Sequence, residues 1–299
     1  MNNNYKNAIA NRYEFVLLYD VENGNPNGDP DAGNLPRLDP ETGHGIVTDV
    51  CIKRKIRNCI SARYENTPGF DIYIRQDAIL NEQDQIGLDV VKDINDRTQK
   101  SQGFRAAMCE TFFDIRAFGA VMTTAATDKT LSNVAGQVRG PIQIAFGKSV
   151  EPIMPREVTI TRVAITTADK GATASTEMGR KAVVPYGLYR QEGYISANLA
   201  RSVTGLSDDD LDVFWEAVIH MFDDDRSAAR GKMVLRELIV FKHDSPLGNA
   251  PAHKLFERVS IKRKDNVAIA RAYTDYTVEI ETNNLPAGVT ILPLYRDND

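Results

Sequence analysis

The sequence predicts an α+β protein whose elements follow one another in the order β-α-β-β-α-β, with insertions between them. Residues 13–21 are rich in β-branched, aromatic and Leu side chains that alternate as in a packed strand, and residues 233–241 also have the composition of a strand. Residues 48–63 and 207–222 carry apolar side chains at helical spacing. The region 140–199 supplies strands between the two helices. No linker or internal repeat divides the 299 residues, so a single domain is expected.

The first helix follows a long loop and combines a capped N-terminus with basic side chains. Thr48 or Asp49 can cap it, and Lys53, Arg54 and Arg57 share one face. A helix N-terminus behind a loop rich in Gly and Asn presents free N–H groups and the positive end of the helix dipole. This arrangement indicates phosphate binding, although a basic face is also typical of an ordinary solvated helix.

The loop itself, residues 22–45, is rich in Gly, Asn, Asp and Pro, so no regular element is expected within it. Loops of this length are usually functional or disordered. Its aspartates suggest calcium, but Pro30 stands where an EF-hand loop requires Gly and no Glu follows at the required distance. No metal site is predicted.

The middle of the chain contains a region, residues 64–130, that is typical of an insertion. Its first part is polar and helix-prone with several breakers, and residues 104–122 then have helical spacing. Arg116 in that helix could reach a ligand or form a structural ion pair. Residues 141–146 and 158–165 alternate as strands, and the first of these is predicted to place three apolar side chains on one face: Ile142, Ile144 and Phe146.

Residues 166–183 are small and polar, and Met178 is their one large apolar side chain. The segment is therefore expected to project from the body, either as a surface loop or as a functional extension. Arg180 and Lys181 lie at its base. Tyr186 follows shortly after and could stack on a base or cap the core. The next well-marked element begins at Ser207, where a helix cap precedes an acidic first turn.

Composition sets further bounds. The net charge of −5 is unlike that of proteins that bind nucleic acid indiscriminately, so a nucleic-acid site would be local. Cys51, Cys59 and Cys109 lack metal-type spacing and are expected to be reduced thiols. The chain has no apolar run near 18 residues and no signal-peptide pattern, which predicts a cytoplasmic protein.

Several long segments of the chain resemble one known family. They are LLYDVENGNPNGDPDAGNLPRLDPETGHGIVTDVCIKRKIRN at 17–58, FFDIRAFGAVM at 112–122, GPIQIAFGKSVEPI at 140–153, MGRKAVVPYGLY at 178–189 and DRSAARGKMVLRELIVFKHDSPLGNAPAHKLFERV at 225–259. The chain resembles the backbone subunit of type I-C Cascade, a CRISPR-associated complex. That family belongs to the repeat-associated mysterious proteins, whose core is a modified RRM, and the β-α-β-β-α-β order agrees with such a core. The resemblance implies a finger-like insertion at about 64–130 and a thumb-like one at 166–183.

The resemblance also implies a function. The expected protein is not an enzyme and needs no cofactor. It binds a CRISPR guide RNA, polymerises along the spacer with further copies of itself and with other Cascade subunits, and presents the guide for pairing with target DNA. No membrane is involved. The candidate RNA-binding residues are Asn23, Asn25, Asn27, Lys53, Arg54, Arg57, Arg116, Gln143, Arg180, Lys181 and Tyr186.

One alternative remains open at this point. Related backbone subunits of type III complexes cut target RNA with a loop aspartate. A metal-dependent ribonuclease that uses aspartates of the 20–49 segment to activate water is therefore the competing interpretation.

Overall fold

The computed structural model describes residues 5–122, 130–132, 135–162, 177–223 and 225–297. Its strands are β1 (Tyr13–Gly24), β2 (Gly28–Asp29), β3 (Leu35–Pro36), β4 (His44–Val47), β5 (Gly119–Val121), β6 (Gln137–Arg139), β7 (Ile142–Ile144), β8 (Gly147–Pro152), β9 (Arg156–Arg162), β10 (Glu177–Ile195), β11 (Lys232–His243), β12 (Val259–Arg263), β13 (Tyr276–Ile280) and β14 (Val289–Arg296). Its helices are α1 (Asp49–Arg63), α2 (Leu80–Val90), α3 (Arg97–Thr111), α4 (Phe113–Phe118), α5 (Ala197–Leu199), α6 (Asp208–His220) and α7 (Ala252–Phe256).

One large antiparallel sheet organises these elements. Its strands lie in the order β14-β11-β1-β10-β8-β4, and β7 and β9 also pair with β10. Strand β1 is central, with β10 on one side and β11 on the other. Gly193 of β10 lies opposite Phe15, where a Cβ atom would stand 2.0 Å from the Phe15 ring. The prediction of a mixed α+β protein is confirmed by this sheet and the helices that pack on it.

Both faces of the sheet are buried under other elements. Successive side chains of β1 point to opposite faces and therefore enter two different clusters. Phe15, Leu17 and Tyr19 belong to the cluster under α1 and α6, whereas Val16 and Leu18 belong to the cluster under α7, β12 and β13. Trp215 of α6 packs edge-on against Phe15, with ring centroids 5.3 Å apart. The helical stripe read from the sequence therefore forms core.

The two long helices on the sheet begin where the sequence predicts. The Thr48 hydroxyl caps α1 by accepting from the Cys51 N–H at 3.4 Å. Ser207 caps α6 in a reciprocal capping box with Asp210. Such caps each stabilise a helix by roughly 1 kcal/mol. They fix the helix starts that determine which side chains face the sheet.

The loop before α1 contains short regular pieces, so the expectation of none within residues 22–45 is wrong. Strand β1 continues to Gly24, β2 pairs with β3, and β4 joins the main sheet. Asp29 accepts from the Asp31 N–H at 3.2 Å, and Asp39 accepts from the Glu41 N–H at 3.1 Å. These side chains close tight turns that bring short backbone segments alongside one another, which composition alone does not report.

Helices α2, α3 and α4 build a separate small core beside the main one, with Phe104, Met108 and Phe112 at its centre. The helix predicted over 104–122 is interrupted at Phe112, whose φ of −107° and ψ of 113° are extended. Phe112 there forms a bridge with Asp71. The outer bounds of this insertion, residues 64–130, stay a prediction.

The structure differs from two predictions about the strands after residue 140. Phe146 does not share the buried face of Ile142 and Ile144. It lies between β7 and β8, and its side chain is 62% exposed. Of the projecting segment 166–183, residues up to 176 lie outside the described residues. Residues 177–183 of the segment pair antiparallel with residues 156–162, from Arg156↔Val183 to Arg162↔Glu177, so the paired stem begins about ten residues earlier than predicted.

The described part of the chain contains no helix with the length and hydropathy needed to cross a bilayer.

Candidate nucleic-acid interface

The basic face of α1 is packed against the protein and is not an open surface. Lys53 Nζ lies 3.0 Å from Asp49 Oδ2, and Arg57 Nε donates to Asp114 Oδ2 at 2.7 Å. Both cations lie over the Phe118 ring of α4, at 5.6 and 5.3 Å from its centroid. Each side chain is only 10% exposed. The solvated-face interpretation is wrong, and the phosphate interpretation stays a prediction.

Arg54 is tied down in the same way. Its Nη1 donates to the Ile74 carbonyl at 2.6 Å. Burial, and next the charge of Arg57, lower the pKa of the Arg54 guanidinium. Asp114 also accepts from the N–H groups of Tyr73 and Ile74, at 2.8 and 3.1 Å. One buried carboxylate therefore joins α1 to the segment that leads into α2.

Phe118 leads from these cations into an open groove of about 400 Å³, between the β5–β6 ribbon and β7. Gln143 lines the groove and donates to the Gly140 carbonyl at 3.0 Å, while Arg139 is exposed at its side. A Cβ on Gly140 would lie 2.1 Å from the Phe118 carbonyl carbon. Glycine therefore allows the two backbone segments to approach closely here. The structure thus gathers Lys53, Arg57 and Gln143 around Phe118. Sequence reasoning missed Arg139, although it directly precedes the GPIQI segment.

The three loop asparagines occupy different environments. Asn27 Oδ1 accepts from both the N–H and the hydroxyl of Thr48, at 2.9 and 3.0 Å, and so fixes the cap of α1. Asn25 is 5% exposed and donates to the Asn34 carbonyl at 2.7 Å. Asn23 is exposed and has a φ of 50°. Asn25 and Asn27 shape the loop, and Asn23 faces solvent.

Arg116 lies in the interior. Its Nε and Nη2 donate to the two oxygens of Asp210 at 2.9 and 2.7 Å. Its remaining donors reach the carbonyls of Cys109 and Gly69, at 2.6 and 2.9 Å. The side chain also covers the Phe113 ring. Of the two roles left open by the sequence, this geometry favours the structural ion pair.

The last three candidates lie on β10. Arg180 is 82% exposed on the paired stem and stands 3.7 Å from Glu157, and Lys181 follows it half-buried. Tyr186 is 7% exposed, and its hydroxyl donates to Asp20 Oδ2 at 3.1 Å. Burial and the Asp20 carboxylate raise the pKa of Tyr186. Tyr186 caps the core in this arrangement, while Arg180 faces solvent.

The loop aspartates are engaged in turns. Asp29 lies 3.4 Å from Arg37 as well as closing its own turn. The Thr42 hydroxyl and the Glu41 N–H lower the pKa of Asp39 by hydrogen bonding. Within the described ranges, no group of three or more His, Cys, Asp or Glu side chains is placed to hold a metal ion. The cysteines are free thiols, and burial raises the pKa of Cys109 to about 12.

A protein-family model and a known protein sequence both match this chain. A family model described as "CRISPR-associated protein Cas7" matches residues 11–281. A Haloferax volcanii protein, "CRISPR-associated protein Cas7", is 30% identical over 223 residues, which cover 69% of this chain and 62% of that protein. The chain therefore spans less than two thirds of that relative's length.

Solved structures show weaker likeness. Two described as "CRISPR RNA-guided surveillance complex", one of them pre-nicking, are 14% and 15% identical, with TM-scores of 0.46 and 0.47. Each alignment covers 77% of this chain, and 68% and 75% of those chains. A third, "Type III-B Cmr-beta bound to cognate target RNA", is 9% identical with a TM-score of 0.42, over 77% of this chain and 61% of that one.

Proposed function

Because this chain belongs to the CRISPR-associated Cas7 family, we propose that it is a guide-RNA-binding backbone subunit of a cytoplasmic CRISPR surveillance complex. Copies of the chain line up along the guide spacer, together with other Cascade subunits, and present the spacer for pairing with target DNA. In this role the chain positions RNA and catalyses no reaction. The residue 17–58 segment supports assignment to type I-C.

The connectivity of the main sheet supports an RRM-like core. In chain order the elements are β1, α1, the β7–β8 segment, β10, α6 and β11, and in the sheet β11 and β10 flank β1 with β8 beyond. This order agrees with the β-α-β-β-α-β connectivity of a ferredoxin-like sheet, which supports the proposal. The α2–α4 region and the β9–β10 stem are then insertions into that core, in the places of a finger and a thumb.

The groove beside Phe118 carries the proposal that RNA follows this side of the protein. Arg139 is exposed there, Lys53 borders the Phe118 ring, and the Gln143 amide offers hydrogen bonds. Single strands are held by cations that follow the backbone. On a chain of net charge −5, a groove with the exposed cation Arg139 at its side suits a protein that holds RNA along one local track.

The test removes two cations at and beside the groove: Arg139 is exposed, and Lys53 pairs with Asp49, whose side chain is 24% exposed and stays open to water. Lys53→Gln together with Arg139→Gln should lower the log-log salt slope of single-stranded RNA binding by roughly 1.4, because each phosphate contact contributes about 0.7. Arg57 is left in place, because its loss would leave the buried Asp114 carboxylate without its cationic partner. Fluorescence anisotropy of a labelled oligonucleotide over a salt series gives the slope.

A matched control removes two cations from the opposite face of the sheet. Lys254→Gln together with Lys264→Gln changes the net charge equally, at exposed positions near α7 and β12. The control slope should equal that of the unaltered protein. If both double variants change the slope alike, the groove is not the RNA track.

The competing ribonuclease has its own test. We expect no cleavage of single-stranded RNA or DNA with Mg²⁺ or Mn²⁺, because Asp29 and Asp39 already serve as acceptors in turns. Gel analysis of end-labelled oligonucleotides after prolonged incubation measures this. Cleavage that disappears in Asp29→Ala or Asp31→Ala would replace the scaffold proposal with a metal-dependent nuclease.

A further inference from the structure

Phe146 is an exposed aromatic side chain on a fixed backbone. The N–H of the preceding Ala145 donates to the Glu192 carbonyl at 2.8 Å, and the Ala145 carbonyl accepts from Gln191 Nε2 at 2.7 Å. The following residue, Gly147, already belongs to β8 and pairs with β4. A ring that is 62% exposed is therefore held in place from both sides. Ile142 and Ile144 are buried, whereas Phe146, next in the same alternation, is exposed. Such a departure from the pattern of the local sequence is typical of a functional site.

Phe146 forms one wall of a groove of about 410 Å³ on the sheet face opposite α1 and α6. Its polar lining groups are Lys148, Arg190, His44, Ser149 and Glu192, whose carboxylate pairs with Arg190 at 2.9 Å. Lys148 is 53% exposed, and its Nζ is 3.7 Å from Asp39, so the amine is only loosely paired. His44 Nδ1 lies 2.7 Å from the Ser149 carbonyl, which can only accept, so this nitrogen carries the proton.

Arg190 contributes a fixed planar surface. Its Nη1 and Nη2 donate to the carbonyls of Val259 and Phe256, both at 2.7 Å, and its Nε donates to Glu192 at 3.1 Å. With its donors engaged at the edge, the guanidinium can offer its face. Nucleic-acid bases stack on guanidinium planes as well as on aromatic rings. The groove thus combines an exposed ring, a held guanidinium plane and an accessible amine.

We propose that this groove is a second nucleic-acid site, in which a base of a single strand stacks on Phe146 while Lys148 contacts a neighbouring phosphate. An exposed ring beside cations is the pattern that binds single strands without sequence preference. A protein partner that buried Phe146 would also bury Lys148 beside it. Burial of that charge would require an acidic side chain on the partner to pair with it. This site is distinct from the Phe118 groove, because the sheet lies between the two. It rests on the proposed function, since both require that the protein binds nucleic acid.

A fluorescent probe placed at the site tests this directly. The chain has a single tryptophan, Trp215, which is 8% exposed and packed between Phe15 and Phe214. In Phe146→Trp the added indole is therefore the exposed fluorophore. We expect oligouridine or oligothymidine to quench its emission and protect it from acrylamide, whereas the unaltered protein shows neither change. Comparison of the two oligonucleotides tells whether an RNA or a DNA strand occupies the groove.

Phe146→Ala should weaken binding at this second site about tenfold, within the range for loss of one stacking ring, and leave binding at the Phe118 groove unchanged. Leu247→Ala, at a position 71% exposed outside the groove, should leave binding unchanged. Anisotropy on the same samples reports total binding. If strands bind but the Phe146→Trp indole is neither quenched nor protected, this inference fails and the proposed function stands, whereas absence of any binding overturns both. Quenching that follows protein concentration without nucleic acid identifies a contact between copies and also overturns the inference.

Discussion

Replacing Arg116 by Ala should lower the free energy of unfolding by about 3–5 kcal/mol, the cost of removing one partner of a buried ion pair. Asp210 would keep its capping bonds to Ser207 but lose both guanidinium contacts. The carbonyls of Cys109 and Gly69 would also lose their donor. Since domains are stable by only about 5–15 kcal/mol, this loss removes a large fraction of the total stability.

Urea unfolding followed by two spectroscopic probes measures this loss. The matched control is Arg63→Ala, which breaks the surface pair with Glu216, whose side chains are 32% and 45% exposed. An exposed pair of this kind contributes about 0–1 kcal/mol. If Arg116→Ala proves as mild as Arg63→Ala while RNA binding is lost, Arg116 contacts RNA and the structural assignment is wrong.

Removal of residues 163–176 should abolish long assemblies on guide RNA while leaving the single subunit folded. Arg162 and Glu177 are directly opposite each other in the β9–β10 ladder, so Asn-Gly can join them in a two-residue hairpin turn. The paired stem is kept. If the segment contacts the next copy, every interface along the assembly loses the same contact, and the losses accumulate with length.

Size-exclusion chromatography with light scattering on co-expressed guide RNA gives the assembled mass. Thermal stability and binding to a short oligonucleotide are the controls, and both should match the unaltered chain. A shortened protein that assembles to the same mass would mean that the segment is a surface loop and not a thumb.

Elements whose signals are local could be predicted from the sequence. Thr48 and Ser207 act as helix caps because their hydroxyls bond within one turn of the same helix. Trp215 is core because it belongs to an apolar stripe on α6. The strand at β1 follows from a run rich in aromatic and aliphatic side chains. These features require no knowledge of what lies elsewhere in the chain.

The environment of the candidate site depended on distant residues and could not be predicted. Arg57 is buried because Asp114, 57 positions away, meets it, and no pattern within α1 reports that partner. Arg116 had two roles left open until Asp210 was seen to lie beside it. Phe146 was assigned to the buried face because the alternation of Ile142 and Ile144 was extended past the end of β7. The break after that strand is fixed by tertiary hydrogen bonds to β10.

The central position of β1 has a consequence for synthesis on the ribosome. Both of its neighbours in the sheet come from the second half of the chain, and even the closest pairing, Gly24↔Val184, joins residues more than half of the chain apart. At about 5–20 residues per second, the completed strand waits roughly 10–30 s for its first partner to be made. Through that interval Phe15, Leu17 and Tyr19 have no sheet to join. We therefore expect the nascent chain to depend on chaperones that cover apolar segments until β10 and β11 emerge.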